Sequence, residues 1–158
     1  MRVIRKKLRG AVMASIVLAV VASCHWGDIS FSASSSVPRE WTRKDTVDFQ
    51  LPVLMAGRTF HFVVDVRHTE AYTYRDLWVL LRHNVADSLH WQTDTLRCPL
   101  YSEDGYPLGK GLTGLYTVEI PYGTLVSDGS SQARVQLVHC IADSFVVGIS
   151  DIGIRIRN

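Results

Sequence analysis

The stretch FHFVVDVR at residues 60–67 alternates between two kinds of side chain and predicts a β-strand with one buried face. Successive side chains of a strand point to opposite faces, so every second residue meets the core. Three other stretches share this period. The residues expected on the inward faces are Phe60, Phe62, Val64 and Val66; Leu77, Val79 and Leu81; Val135, Leu137, His139 and Ile141; and Ile152, Ile154 and Ile156.

Turn-forming residues separate these stretches, as at Asp104-Gly105 and Asp128-Gly129, and no window shows a helical apolar stripe. Further strands are predicted at residues 47–54, 87–97 and 115–120. Seven or eight strands with short connections indicate an all-β fold, an antiparallel β-sandwich of which the jelly roll is one form. Arg155 and Arg157 share one face of the last strand, which suits an edge position.

The N-terminus reads as an export signal. Five basic residues precede the apolar run at residues 11–23, and Val21-Ala22-Ser23-Cys24 is similar to the cleavage motif of bacterial lipoproteins. The apolar run has 13 residues, fewer than the roughly 20 that a membrane crossing needs. We therefore predict a signal peptide at residues 1–23 and acyl chains on Cys24. A plain secretory signal with an incidental cysteine is the alternative.

The remaining chain divides into a tether and one domain. Residues 24–40 are rich in serine and predict a flexible tether, because such a segment has little apolar surface to bury. Residues 41–158 are long enough for a single two-layer core and form the predicted β-sandwich domain.

The charge balance argues against nucleic acid as a partner. The chain has 17 basic and 15 acidic residues, and removal of residues 1–23 leaves 12 basic and 15 acidic ones. The apparent basicity therefore belongs to the signal. Only one acid, Asp28, closely follows Cys24, and the absence of an acidic run favours attachment to the outer membrane with the domain facing the periplasm.

No catalytic motif is present in the sequence. It contains neither a G-x-S-x-G elbow nor an H-E-x-x-H pair. The run GYPLGKG at residues 105–111 resembles a phosphate-binding loop, but the spacing of its glycines is wrong and Gly111 stands where Ser or Thr is required. We predict a turn and loop there, no catalytic residues, no cofactor and no enzymatic activity.

The histidines and cysteines predict no metal site. Nothing in the spacing of His61, His68 and His83 makes them converge, and strand-end histidines at a hydrated rim are expected instead. Cys98 and Cys140 are the cysteines of the domain. An exported protein permits a disulfide between them, and reduced thiols buried in strands are the alternative.

The aromatic residues point to a binding surface. Residues 72–78 lead from a loop into a strand, and residues 105–111 form the loop described above. The candidate partner-binding residues are Tyr72, Tyr74, Asp76, Trp78, Tyr106 and Lys110. A flat exposed row of Trp78, Trp91 and Tyr106 would suit a glycan, whereas a mixed polar and apolar patch would suit a protein.

Four segments, taken in order, resemble the family of the gliding motility lipoprotein GldH. YTYRDLW at residues 72–78 is similar to its Y-x-Y-x-N-L-W stretch, and DTLRCPL at 94–100 to its D-T-L-x-C-P-L segment. Residues 105–111 resemble its G-x-W-L-G-x-G loop, and GISDIGIRI at 148–156 its closing segment. Asp76 replaces an Asn, Pro107 a Trp and Ala142 a basic residue of that pattern.

The resemblance implies a cell-envelope lipoprotein of the Bacteroidota without catalytic activity. Its expected partners are the membrane, through the lipid on Cys24, and proteins of the gliding machinery and the linked type IX secretion system. A lipoprotein that binds carbohydrate or peptidoglycan through its exposed aromatic side chains is the alternative.

Overall fold

The structure is a computed structural model and describes residues 29–158. Within this range the strands are β1 (Ile29–Ser36), β2 (Trp41–Thr42), β3 (Val47–Gln50), β4 (Thr59–Thr69), β5 (Asp76–His83), β6 (Gln92–Pro99), β7 (Lys110–Leu112), β8 (Leu115–Val126), β9 (Arg134–His139), β10 (Phe145–Val146) and β11 (Ile149–Arg157). The predicted signal peptide and Cys24 lie outside the described residues. Among the residues described, no helix is long and apolar enough to cross a membrane.

Two antiparallel sheets make up the two layers of the fold. The larger sheet has the order β1-β11-β4-β8-β7 and the smaller one the order β3-β9-β5-β6, while β2 and β10 form a short separate pair. Every strand pairing is antiparallel. The prediction of an all-β antiparallel sandwich is therefore confirmed.

The core lies between the sheets and contains the inward faces predicted from the alternation. Fully buried apolar side chains include Val64, Val66, Leu77, Val79, Leu81, Val135, Leu137, Ile152, Ile154 and Ile156. Each such side chain contributes about 1.5–3 kcal/mol to folding by leaving water. The short β2 strand adds Trp41, which is also completely buried.

The predicted tether is wrong for residues 29–36, because these residues form β1. This strand pairs with β11 along its length, from Ile29 opposite Arg157 to Ser36 opposite Asp151. Phe31 and Ala33 pack against the core, while the serines alternate with them. Backbone hydrogen bonds to a neighbouring strand do not require large side chains, so a serine-rich segment can complete the sheet.

The expectation that the last strand is an edge is also wrong. β11 lies between β1 and β4, so both of its sides are paired. Its arginines are accommodated by carboxylates on the outer face of the sheet: Arg155 lies 2.7 Å from Asp65 and 3.2 Å from Glu119. Arg157 lies 3.1 Å from the same glutamate. These cross-strand ion pairs stabilise the charges of the two arginines, which water would solvate on an edge strand.

Strand direction gives the sandwich two ends. The entry end is where β1 begins, beside Arg157, and it carries the loops at residues 51–58, 84–91 and 127–133. The far end is where β1 finishes, and it carries the loops at residues 70–75 and 100–109. An eight-residue strand separates the two ends, about 25 Å at the rise of an antiparallel strand.

Candidate functional site

A groove of about 590 Å³ opens at the far end between two loops that the sequence analysis singled out. One wall follows the turn after β4, and the other follows the connection from β6 to β7. Its lining residues are Glu70, Tyr72, Thr73, Tyr74, Arg75, Tyr101, Ser102, Glu103, Gly105 and Pro107. Two stretches about 30 residues apart in sequence thus meet in one surface.

Tyr72 forms the floor of the groove and has only 2% of its surface exposed. Its hydroxyl donates to the backbone oxygen of Asp76 at 3.0 Å, which closes the loop before β5. Burial raises the pKa of this phenol well above its usual range. Gly148 packs so closely that a Cβ there would lie 2.1 Å from the Tyr72 backbone nitrogen. Tyr72 therefore holds the loop in place rather than presenting its ring to a partner.

Tyr74 stands on one wall with its ring partly exposed. Its ring meets that of Tyr72 edge-on, with 5.7 Å between centroids. The hydroxyl donates to a carboxylate oxygen of Asp143 in the loop between β9 and β10, and this hydrogen bond raises the pKa of Tyr74. The side chain is thus held in one direction while its ring faces solvent.

The opposite wall is a tight turn that displays Tyr106. The Ser102 nitrogen donates to the Tyr106 oxygen at 2.9 Å, and Gly105 occupies the left-handed region with φ near +81°. Tyr106 projects from this turn with 72% of its surface exposed. The backbone nitrogens of Leu100 and Tyr101 both donate to the Arg75 oxygen, so the two walls are joined at their base.

The groove carries charges of both signs. The Arg75 guanidinium lies 3.9 Å from Glu103 across the opening and 3.5 Å from Asp76. Glu70 accepts a hydrogen bond from the Tyr116 hydroxyl at 3.4 Å. Tyr101 donates to the Thr69 oxygen at 3.2 Å, and burial raises the pKa of its phenol. Aromatic rings among charges of both signs form a surface suited to a polar peptide or protein.

The other candidate residues lie outside the groove. Asp76 is largely buried and pairs with Arg97 at 3.1 Å, so it neutralises charge within the smaller sheet. Trp78 is partly exposed on the outer face of β5. Lys110 is exposed at the start of β7. The structure therefore brings together Tyr72, Tyr74 and the turn of Tyr106. Asp76, Trp78 and Lys110 lie elsewhere.

The exposed aromatic residues do not form a flat row. Trp91 packs beside Arg82, with the guanidinium carbon 5.5 Å from the ring centroid. Arg82 and Trp78 lie four positions apart on β5, about 13 Å along the strand. Leu80 lies between them, and Tyr106 belongs to a loop at the far end. Trp78, Trp91 and Tyr106 therefore lack the flat exposed arrangement expected for a glycan site.

Sequence comparison decides the family. The sequence model described as the GldH lipoprotein matches residues 30–156, most of the chain. The chain belongs to the GldH lipoprotein family. A curated relative, the gliding motility lipoprotein GldH of Flavobacterium johnsoniae, is 24% identical over 134 residues, which cover 80% of this chain and 83% of the relative. The resemblance inferred from the four segments is thereby confirmed.

Two solved structures are distantly similar to this GldH-family chain. One is the EclA C-terminal domain, a sugar-binding protein, with a TM-score of 0.39, 16% identity and coverage of 81% of this chain and 74% of that one. Another is the Eiger TNF from S. frugiperda, with a TM-score of 0.31, 13% identity and coverage of 84% and 88%. At such scores neither likeness carries an argument about function.

Two histidines of this GldH-family chain are not at a hydrated rim, so that expectation is wrong for His68 and His83. Both are completely buried, as is His139. His68 Nε2 lies 3.4 Å from the Leu108 oxygen, and His83 Nε2 lies 3.0 Å from the Tyr122 hydroxyl. Burial lowers the pKa of all three imidazoles. Across residues 29–158, no three His, Cys, Asp or Glu side chains come together in a group that could hold a metal.

The two cysteines of the GldH domain are reduced. Cys98 pairs opposite Leu77 on one side of β5, and the Cys140 nitrogen donates to the Trp78 oxygen on the other side. Two strand spacings amount to about 9.5 Å, more than a disulfide spans between Cα atoms. Burial raises the pKa of Cys98 to about 12 and also raises that of Cys140. Cys98 thus matches the alternative of a buried thiol in a strand, whereas Cys140 is half-buried and follows the end of β9.

The glycines of the 105–111 loop serve backbone packing. A Cβ on Gly109 would lie 2.3 Å from the Thr117 oxygen, and one on Gly111 would lie 1.9 Å from the Leu115 oxygen. Both positions therefore allow β8 to approach closely. Close packing against β8 therefore explains two of the glycines that make this loop resemble a phosphate-binding loop.

Sequence reasoning missed four groove residues of this GldH-family chain: Glu70, Tyr101, Ser102 and Glu103. It also missed Asp143, which holds Tyr74 from 69 residues away. The contact between Tyr74 and Asp143 has no local signal, because it depends on how the two sheets are placed. Tyr101 could have been noticed as an aromatic residue that follows directly after the DTLRCPL segment.

Proposed function

We propose that this chain is a non-catalytic, lipid-anchored accessory component of the gliding motility machinery and its associated type IX secretion system. The groove at the far end is its contact with a protein partner. The observation that carries this proposal is the convergence of two family-like segments, residues 72–78 and 105–111, on one surface. Membership of the GldH family supplies the cellular setting.

The anchor in this proposal is the lipid on Cys24, with the domain attached to the outer membrane and facing the periplasm. The sequence Val21-Ala22-Ser23-Cys24 supports lipidation, and the lack of an acidic run after Cys24 supports the periplasmic side. Attachment to a membrane raises the local concentration of the domain near a membrane-bound partner. A groove of modest affinity is then sufficient.

A protein is the partner that the groove chemistry supports. Tyr106 is exposed on a rigid turn and Tyr74 is fixed by Asp143, and tyrosines held in this way commonly dominate the affinity of an interface. Arg75 and Glu103 place both signs of charge on the rim, which favours selection by charge complementarity.

Site-specific crosslinking in the host cell tests this proposal. A photoreactive amino acid replaces Tyr106 in one strain and Leu89 in a matched control. Leu89 is 83% exposed but lies at the entry end. We expect the Tyr106 position to capture a component of the gliding or secretion machinery that the Leu89 position does not. A third strain combines the Tyr106 position with Cys24→Ala and should lose the capture.

Two results would contradict the proposal. Equal capture from both ends would mean that the groove is not the contact surface. Release of bound glycan from the purified lipoprotein, without protein capture at Tyr106, would favour the carbohydrate-binding alternative.

A further inference from the structure

Five large apolar side chains are exposed at the entry end of the sandwich, the end opposite the groove. They lie on the loops at residues 51–58 and 84–91 and at the end of β8. These residues are Val53, Met55, Leu89, Trp91 and Val126. Exposed apolar side chains gathered at one end of a domain indicate an interaction surface.

Hydrogen bonds join the loops into one surface. The Gly57 nitrogen donates to the Ser127 oxygen at 2.8 Å, and the Ser127 nitrogen donates to the Arg58 oxygen at 3.0 Å. The Ser88 nitrogen donates to an Asp128 carboxylate oxygen at 2.8 Å. The apolar side chains are therefore displayed on a fixed base.

Asn84 fastens this base from inside. Its side-chain amide donates to the Ser88 oxygen at 3.1 Å and to the Gln132 oxygen at 3.3 Å, and its carbonyl accepts from the Arg134 nitrogen at 2.7 Å. Asn84 itself is buried, and its three hydrogen bonds are partly shielded from water.

The carboxylates of these loops are engaged with local groups. Asp87 accepts from the Leu89 nitrogen at 2.9 Å and lies 2.7 Å from His90. Asp128 accepts from the backbone nitrogens of Ser88 and Ser130. These hydrogen bonds lower the pKa of both aspartates. Local donors thus offset part of the negative charge near the apolar side chains.

The length of chain before β1 limits what can lie against this surface. Ile29 is the first residue of β1 and begins at the entry end. Only four residues, at positions 25–28, lie between it and Cys24, and the five steps from Cys24 to Ile29 span at most about 18 Å of extended chain. An acylated Cys24 would therefore keep the entry end within that distance of the bilayer. The groove lies about 25 Å farther along the strands.

We infer that the entry end docks on the lipid surface that holds the anchor, with Val53, Met55, Leu89, Trp91 and Val126 entering the headgroup region. Tryptophan favours this boundary because its ring is apolar and its N–H is polar. Arg82, which stacks on Trp91, lies at the right place to meet lipid phosphates. The inference rests on the anchor at Cys24 in the proposed function. It adds that the groove points away from the membrane.

Fluorescence quenching by lipids tests the inference on the full mature lipoprotein. The protein is purified with its lipid and reconstituted into vesicles of phosphatidylethanolamine and phosphatidylglycerol that contain doxyl-labelled phosphatidylcholine. A nitrobenzoxadiazole label is attached at Leu89→Cys or, as the matched control, at Leu112→Cys. Leu89 and Leu112 are 83% and 84% exposed and lie at opposite ends. Labelling of the unsubstituted protein measures the background from Cys98 and Cys140.

We expect a blue shift and strong quenching of the label at Leu89, and an aqueous spectrum with little quenching at Leu112. Equal quenching at both sites in protein that floats with the vesicles would overturn the docking inference and leave the anchor standing. A blue shift at Leu89 without quenching would assign this end to a contact between copies of the chain and overturn the inference as well. Protein that neither floats nor shows quenching would remove the Cys24 anchor and the inference together.

Discussion

The two ends of the sandwich expose different kinds of side chain, although the same strands run between them. At the entry end, aliphatic residues and one tryptophan stand on loops fastened by the buried Asn84. At the far end, Tyr74 and Tyr106 stand among charged side chains around a groove. The entry end thus presents a surface that water solvates poorly, and the far end one that can form directional hydrogen bonds.

Under the two proposals above, this difference separates attachment from recognition within one domain. Strand length places the two ends about 25 Å apart, and the core between them is closely packed. A change at one end should therefore affect the other only through global unfolding. Four predictions test this separation, and they run from the largest expected effect to the smallest.

Replacing Gly148 by Ala should destabilise the far end most. The new Cβ would lie 2.1 Å from the Tyr72 nitrogen, and the backbone there has φ near +85°. We expect a loss of about 3 kcal/mol in the free energy of unfolding, measured in urea. Gly57→Ala at the entry end is the matched control: its φ is +72° and the added Cβ has nothing within 4 Å. It should lose only about 1 kcal/mol. Equal losses would show that Gly148 is not tightly packed against Tyr72.

Replacing Asn84 by Ala should loosen the entry end. Three partly buried backbone groups would lose their partner, at a cost of about 2 kcal/mol. Hydrogen exchange should accelerate in residues 84–91 and 127–133 while residues 70–75 keep their protection. Gln50→Ala removes one exposed hydrogen bond to the Ser131 oxygen and is the control. Faster exchange at the far end as well would contradict the independence of the two ends.

Acid should lower the free energy of unfolding through the buried histidines near both ends. Burial lowers the pKa of His68 near the far end and of His83 near the entry end, so the unfolded chain binds more protons once the pH falls below about 6.5. The free energy of unfolding should be greatest above that pH and decline as the pH falls toward the lowered pKa values. Unfolding in urea at a series of pH values measures the decline, which we expect to be smaller than the Asn84→Ala loss.

His83→Leu should flatten this pH dependence, whereas Gln50→Ala, which removes no titratable group, should leave it unchanged. An unchanged slope in His83→Leu would mean that the acid sensitivity comes from other groups.

Replacing Tyr106 by Ala should affect binding alone. The side chain is 72% exposed, so the free energy of unfolding should change by less than about 0.5 kcal/mol. Affinity for the captured partner should fall about tenfold, as measured by titration with the purified partner. Leu89→Ala, at the entry end, should bind that partner normally. An equal loss of affinity in Leu89→Ala and Tyr106→Ala would show that the entry end also contributes to partner binding.

Much of the core could be predicted because its strands alternate strictly. The same alternation also places His68, His83 and His139 on inward faces, in register with Val66, Leu81 and Leu137. The general preference of histidine for hydrated positions led to the opposite expectation for His68 and His83. For these strands the period was the better guide, because a strand cannot turn one side chain outward without shifting the others.

The beginning of the domain was missed for a different reason. Ile29, Phe31 and Ala33 alternate with serines, which is a strand pattern, but the serine content of residues 29–36 suggested a tether. Strand order could not be predicted either. The neighbours of β11 are β1 and β4, which lie far from it in sequence, and no local signal records that pairing. The groove shares this limit, since the contact of Tyr74 with Asp143 follows from the same long-range arrangement.

The position of β11 has a consequence for the order of events during export. This strand is the last of the described elements, yet it joins the first strand to the middle of the sheet. In the export that we propose, a chain that leaves the translocation channel with its N-terminus first exposes two unpaired strand edges, on β1 and β4, until β11 follows. The larger sheet can close only after β11 has been transported. We expect chains truncated before Ile149 to be degraded by proteases of the cell envelope, and protease-resistant truncated chains would argue against this coupling.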